Sequence, residues 1–213
     1  MEDKELMVDY RITEFLEKLA SDSPAPGGGA ASALTGAQGI ALLLMVTNLT
    51  IGKERYKDIQ EHNINMRDKA KKLMRKLIEG IDEDKKAYSQ VSNAFKLPKK
   101  TEEESKIRRA KISNAAIKAA EAPLNVMESA LDGLKIAESL INKSNPNLID
   151  DVIVGTIHLK ACTDGAICNI KANIPLIEDK KIAESFRKSS EALALEARDV
   201  YNRIITLETT SCS

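Results

Sequence analysis

From Ser23 to Gly52 the chain carries no charged side chain, although 30% of its 213 residues are Asp, Glu, Lys or Arg. About 20 residues are enough for a helix to cross a bilayer, so this segment has the length of a membrane span. Its content argues otherwise. Up to Gly39 it is mostly Gly, Ala, Ser, Thr and Gln, the dense apolar patch is confined to residues 40–46, and Pro24 and Pro26 block one end. The segment reads instead as a buried core or subunit-interface helix, whose Gly28, Ser32, Gly36 and Gly39 permit close backbone approach. No membrane partner is expected.

The flanking sequence supplies helices to surround it. Leu6, Tyr10, Thr13, Leu16 and Ala20 recur at spacings of three and four, which predicts a short amphipathic helix over 4–20, and the uncharged segment predicts another over 28–48. A long charged stretch then places Ile59, Met66, Ala70, Leu73, Leu77, Ile81, Tyr88, Val91 and Phe95 on one side and stops at Leu97-Pro98. Thr101 followed by Glu104 is a capping-box pattern that opens a helix running to Ile141, with a kink expected at Pro123. After the Asn142–Asn147 loop come helices over 148–174, closed by Pro175, and over 180–207. No segment alternates as a strand would, and aromatics are only 3% with no Trp, so the core falls to Ala, Leu, Ile, Val and Met. The expected architecture is a single all-α domain over 1–213, an elongated up-and-down bundle of about six helices that buries its Ala-rich faces as a homodimer.

Charge and cysteine content exclude several functions. Thirty-two basic residues balance 32 acidic ones, so a broad electrostatic grip on nucleic acid is not expected, and scarce aromatics disfavour recognition by base stacking. Cys162, Cys168 and Cys212 show neither a disulfide framework nor zinc-ligand spacing, and the first residues lack a secretory or transit signal. A cytoplasmic protein is expected.

Two places break the apolar patterning. Continuing the stripe of the third helix beyond Ile81 puts Asp84 at an interior position, where a carboxylate must cap, pair with a cation, or hold a proton as an acid/base group does. Asp82 falls off that stripe and is expected to be solvated. In the helix after the Asn-Pro-Asn loop, Asp151, Gly155, His158, Cys162, Gly165, Asn169 and Asn173 form one small, polar face. His158 and Cys162 are i, i+4 neighbours without a matched third ligand, so a packed histidine and a buried thiol are expected rather than a metal site. A binding face of Asp151, Asn169 and Asn173 suits directional hydrogen bonds to a planar, amide-rich ligand. Pro26-Gly27-Gly28-Gly29 entering a helix offers backbone N–H groups at the positive end of a dipole, or simply a tight turn. His62, among charges, is expected in solvent, and Lys69-Ala70-Lys71-Lys72 on a solvated face.

Taken in order, Ser23-Pro24-x-Pro26-Gly27-Gly28-Gly29, Asn48-Leu49-Thr50-Ile51-Gly52-Lys53 with Tyr56, and Asp82-x-Asp84-x-x-Ala87-Tyr88 leading to Lys96-Leu97-Pro98-Lys99 resemble the cyclodeaminase/cyclohydrolase family of folate one-carbon metabolism. Ala122-Pro123-Leu124, Asn145-Pro146-Asn147 with Asp151, and Asn169 with Asn173 continue the likeness over nearly the whole chain. The resemblance implies an all-α dimer that converts 5-formiminotetrahydrofolate to 5,10-methenyltetrahydrofolate and ammonia. The related alternative is hydrolysis of the methenyl bridge to 10-formyltetrahydrofolate, and outside catalysis a helical folate-binding or scaffold dimer. It implies no metal or other cofactor and a reduced folate substrate, with or without a polyglutamate tail. Asp84 would be the acid/base or electrostatic group and Asp151 the second. Asn145, Asn147, Asn169 and Asn173 would orient the pterin, Gly27, Gly28 and Gly29 would close over it, and Lys53 would meet the glutamate carboxylates. Ser23, Asn48 and Tyr56 complete the expected binding set.

Overall fold

In a computed structural model, which describes residues 6–211, six α-helices and short 3-10 turns account for all the regular structure among those residues. The helices are α1 (Ile12–Leu19), α2 (Gly28–Thr50), α3 (Gln60–Phe95), α4 (Glu102–Leu140), α5 (Ile149–Asn173) and α6 (Lys180–Ser211). Cys212 lies outside the described residues. The caps are those that the local sequence encodes. Thr101 Oγ1 accepts from Glu104 N–H while Glu104 Oε2 accepts from Thr101 N–H, and Asp179 Oδ1 accepts from the N–H groups of Lys181 and Ile182 at the start of α6.

The uncharged segment is the centre of the packing. α2 packs against α3 and α5, those two pack against α4, and the four close into a ring on which α6 lies against α4 and α5. By length and composition α2 is apolar enough to cross a membrane, but more than half of its apolar window is buried inside the bundle. Ile40, Leu43, Leu77, Met127, Leu134 and Leu159 are fully enclosed there. At roughly 1.5 Å per residue, α3 and α4 extend more than ~50 Å, which makes the bundle elongated.

Gly39 and Gly155 permit that packing. A Cβ on Gly39 would stand 2.8 Å from Gly155 O, and one on Gly155 3.0 Å from Gly39 O, so the two backbones touch where any side chain would force them apart.

Several local expectations are corrected. The first helix begins at Ile12 rather than near residue 4, after a 3-10 turn at Met7–Asp9, and the buried residues are Met7 and Phe15 while Leu16 is exposed. Asp82 is buried rather than solvated and accepts a 2.7 Å hydrogen bond from Met7 N–H, which anchors the 3-10 turn before α1 to α3. Near the end of α3, Ala87 and Ala94 turn inward instead of Tyr88 and Phe95, with Ala94 packing against Ile112 and Ala115 of α4. The expected stripe keeps the 3.6-residue period of a straight helix, whereas the inward set Met66, Leu73, Gly80, Ala87 and Ala94 repeats every seven residues and so shifts by about 20° per heptad towards the neighbouring side chains. His62 is half-buried, with its Nε2 3.1 Å from Ser139 O, rather than in solvent.

Replacing Gly39 by valine is expected to lower stability by about 1–3 kcal/mol or more through overpacking. The measurement is a shift of the denaturant midpoint to lower concentration; an unchanged midpoint would mean that the α2–α5 contact yields freely.

Candidate functional site

The Pro-Gly-Gly-Gly sequence is not a flap. Gly27 is the N-cap of α2, while Gly28 and Gly29 already form its first turn, so the expectation that all three close over a ligand fails. A glycine N-cap has no side chain to satisfy the orphan N–H groups of the first turn. Asp84 of α3 supplies the missing acceptor: Ala30 N–H donates to its Oδ2 at 3.2 Å. The approach is so close that a Cβ on Gly29 would overlap the Asp84 carboxylate. Gly80, Ala122, Pro123, Val126 and Ala166 line the narrow space around it.

Asp84 therefore does cap a helix, one of the possibilities its spacing raised. The environment also sets its protonation. Burial among these apolar groups holds its pKa above the usual carboxylate range, outweighing the opposite pull of the Ala30 N–H. A half-buried acid that keeps its proton unusually late can both give and take one.

α5 contributes the adjoining wall. A Cβ on Gly28 would lie 3.8 Å from Asn169 Oδ1, so the Asn169 side chain is directed to the first turn of α2, while its Nδ2 donates to Gly165 O at 3.0 Å. Asn173 is committed elsewhere. Pro123 has no N–H to give Ala119 O, and Asn173 Nδ2 donates to that carbonyl at 3.2 Å and to Asn169 O at 2.9 Å. It repairs the proline-containing turn, through which α4 continues as one helix. Its amide donor is thus not available to orient a pterin.

The remaining predicted residues are at the other end of the bundle. Twenty positions separate Gly28 from Asn48 on α2, and 18 separate Asp151 from Asn169 on α5, distances of about 30 and 27 Å at 1.5 Å per residue. Asn48, Lys53, Tyr56, Asn145, Asn147 and Asp151 thus stand far from Asp84, and in one chain they do not meet the same reacting carbon. Within one chain, Asp151 is therefore not the neighbour of Asp84, and Lys53, Asn145 and Asn147 belong to a separate end of the bundle. Tyr56 OH donates to Asn145 Oδ1 at 2.6 Å, Asn147 N–H donates to the same oxygen at 3.1 Å, and Asn145 N–H donates to Thr50 Oγ1 at 3.0 Å. This network ties the segment after α2 to the loop before α5. Asp151 sits in the first turn of α5, a position that favours an acidic side chain through the helix dipole.

Asn63, beside that network, was missed by the sequence reading. It is fully buried, and its Nδ2 donates to Ile59 O and Lys143 O. The signal existed, since it continues the stripe between Ile59 and Met66 at spacings of four and three. Ser23 is exposed and lines a cavity with Tyr10, Lys85 and Tyr88.

A metal reading finds no support in the side chains. Burial against α2 pushes the Cys162 thiol up to about 12, so it is neutral at pH 7. His158 instead holds its Nδ1 2.8 Å from Val154 O. Among the described residues, no three or more His, Cys, Asp or Glu are grouped to hold a metal ion.

With this geometry in hand, three comparisons bear on the chain. Residues 11–192 match the family model described as Formiminotransferase-cyclodeaminase. The methenyltetrahydrofolate cyclohydrolase of Methylorubrum extorquens is 37% identical over 193 residues, covering 91% of this chain and 93% of that protein. The formimidoyltransferase-cyclodeaminase of Gallus gallus is 28% identical over 197 residues, but the alignment covers only 36% of it, so this chain spans little more than a third of that relative. The solved formiminotetrahydrofolate cyclodeaminase of Thermotoga maritima superposes with a TM-score of 0.87 over 96% of this chain and 98% of its own, at 24% identity, which shows a shared fold.

Because the folded protein raises the pKa of Asp84, it binds that proton more tightly than the unfolded chain does, and stability falls as pH rises through the carboxylate range. At pH 7 the full penalty is present. Asp84→Asn, which keeps an acceptor for Ala30 N–H, is expected to move the denaturant midpoint up at pH 7, with the gap closing towards pH 4. A variant less stable than wild type at pH 7 would contradict the assignment.

Proposed function

Since the chain belongs to the formiminotransferase-cyclodeaminase family, we propose that it acts on the one-carbon bridge between N5 and N10 of a reduced folate, with Asp84 as the acid/base group. The observation that carries the reading is a half-buried carboxylate of raised pKa at the N-terminus of α2, enclosed by glycine and small apolar side chains.

Two reactions share this chemistry. In hydrolysis, water adds to the cationic methenyl carbon, the C–N5 bond breaks, N5 takes a proton, and the formyl group stays on N10. In cyclodeamination, N10 adds to the formimino carbon, the bond to the terminal nitrogen breaks with its release as ammonia, and the methenyl cation remains. Both pass through a tetrahedral carbon between N5 and N10, and both move protons while positive charge appears or disappears there. Asp84 as carboxylate takes the proton of the attacking water or N10 and faces the cation; as the acid it protonates the leaving nitrogen. Neither reaction changes the oxidation state of the carbon, so neither calls for an electron donor or acceptor; hydrolysis consumes one water and cyclodeamination none. The similarity to the length-matched Methylorubrum cyclohydrolase, higher than that to the Gallus protein, favours hydrolysis. The family description and the names of the longer relatives carry cyclodeamination as the second reading.

The homodimer belongs to the same proposal. Gln38, Ala41, Asn48 and Leu49 of α2 are exposed without a charge among them, and Val154 and Ile157 of α5 are 43% and 48% exposed. A second copy seated there would cover the uncovered side of the core helix. Free Cys162 and Cys168 are compatible with a cytoplasmic enzyme.

Purified protein is expected to accelerate the loss of the near-ultraviolet absorption of 5,10-methenyltetrahydrofolate. The second reading predicts ammonia release and a rise in that absorption with 5-formiminotetrahydrofolate. Asp84→Asn should lower kcat/KM by about 10²–10⁴-fold, the usual contribution of a positioned acid or base. Folate binding without either turnover would indicate a non-catalytic binding or scaffold role. Light scattering should give about twice the 23.3 kDa chain mass, and a monomer mass would remove the dimer.

A further inference from the structure

A cavity of about 490 Å³ opens one helical turn beyond Asp84, between the segment before α1, the Ser23–Ala25 loop and the outer face of α3. Lys85, Tyr88 and Ser92 line it at spacings of three and four on one face of α3, and Lys96, the C-cap of that helix, lines it four residues further on. Tyr10 and Lys18 line it from the other side, with the Lys18 ammonium 4.0 Å from the centre of the Tyr10 ring.

Three features give this cavity a ligand preference. It holds two of the four tyrosines of a chain with only 3% aromatic residues and no Trp, so its aromatic content is concentrated rather than incidental. Tyr88 is 49% exposed at a place where the periodicity calls for a core residue, and the smaller Ala87 fills the core beside it. Three lysines and no carboxylate line the cavity, in a chain whose acids and bases are equal in number. Lys18 is paired with Glu14 at 3.6 Å, which leaves Lys85 and Lys96 as the cations set beside the aromatic faces, an arrangement that suits an aromatic ring bearing carboxylates.

We propose that this cavity receives the aminobenzoyl-glutamate half of the substrate, with the benzoyl ring against Tyr10 and Tyr88 and the glutamate carboxylates on Lys85 and Lys96. The inference rests on the folate reading and adds to it. N10, one of the two nitrogens at the reacting bridge, is itself the aniline nitrogen of the aminobenzoyl group. The ring must therefore lie immediately beside the group that handles the bridge. Tyr88 is four residues beyond Asp84 on α3, a rise of about 6 Å on the same side of the helix, which is the offset that this connectivity requires. Tyr10, Tyr88, Lys85 and Lys96 become substrate-binding residues that contact parts of the folate remote from the bond changes.

The probe is N-(4-aminobenzoyl)-L-glutamate, titrated into the whole protein with binding read by ligand-observed NMR. Wild type should bind it, 4-aminobenzoate lacking the glutamate should bind at least tenfold more weakly, and Tyr88→Leu and the double variant Lys85→Met/Lys96→Met should each weaken the glutamate conjugate at least tenfold. In turnover, the same variants should raise KM at least tenfold with kcat changed by less than threefold; circular dichroism checks that they fold. A wild-type enzyme that turns over folate while these variants keep its KM and its affinity for the fragment would overturn the cavity assignment and leave the folate reading intact. A protein that turns over neither folate yet binds the fragment through these residues would do the reverse. Failure of wild type to bind the fragment would overturn the assignment whatever the turnover.

Discussion

The contact between Asp84 and the first turn of α2 organises the end of the bundle where chemistry is expected. α2 begins with an N-cap that has no side chain, so its first N–H groups need an acceptor from elsewhere, and α3 supplies one at Ala30. The same approach demands glycine at position 29 and small residues around it. Burying a carboxylate in this way costs stability, because desolvation raises its pKa, yet it leaves a group that keeps its proton later than an ordinary aspartate, as an acid/base group does.

The fold was legible because its signals are local. The uncharged segment announces the core helix, the Thr101–Glu104 box and the prolines at 98 and 175 mark helix ends, and scarcity of aromatics points to close-packed helices. What failed locally did so for long-range reasons. Asp82 looked solvated because nothing in its neighbourhood reveals that Met7 N–H will reach it across 75 positions. Tyr88 and Phe95 looked buried because the stripe was continued at the 3.6-residue period of a straight helix, whereas the packed face of α3 follows a seven-residue repeat through Gly80, Ala87 and Ala94.

The site was half legible. Asp84, Gly28, Gly29 and Asn169 come together at the start of α2, whereas Asn48, Lys53, Tyr56, Asn145, Asn147 and Asp151 gather at the opposite end. In an antiparallel bundle the start of α2, the end of α3 and the end of α5 share one side, and the end of α2, the start of α3 and the start of α5 share the other. That alternation sorts the motifs into two sets before any coordinate is known. The structural use of Asn173 was hidden for another reason: its donor answers the carbonyl that Pro123 leaves without a partner, a demand visible only once α4 and α5 are placed side by side. The second set has a structural task of its own, since Tyr56, Asn145 and Thr50 bind two loops into one buried network.

The most direct test of the account is the titration of Asp84 itself, followed through the side-chain carboxyl carbon by NMR in aspartate-labelled protein and assigned by the signal lost in Asp84→Asn. The account predicts a midpoint above the ordinary aspartate value of about 3.9, and the same midpoint on the acidic limb of the kcat/KM profile. A midpoint at or below that value, or an acidic limb unrelated to it, would reduce Asp84 to the cap of α2 and contradict its role as the acid/base group.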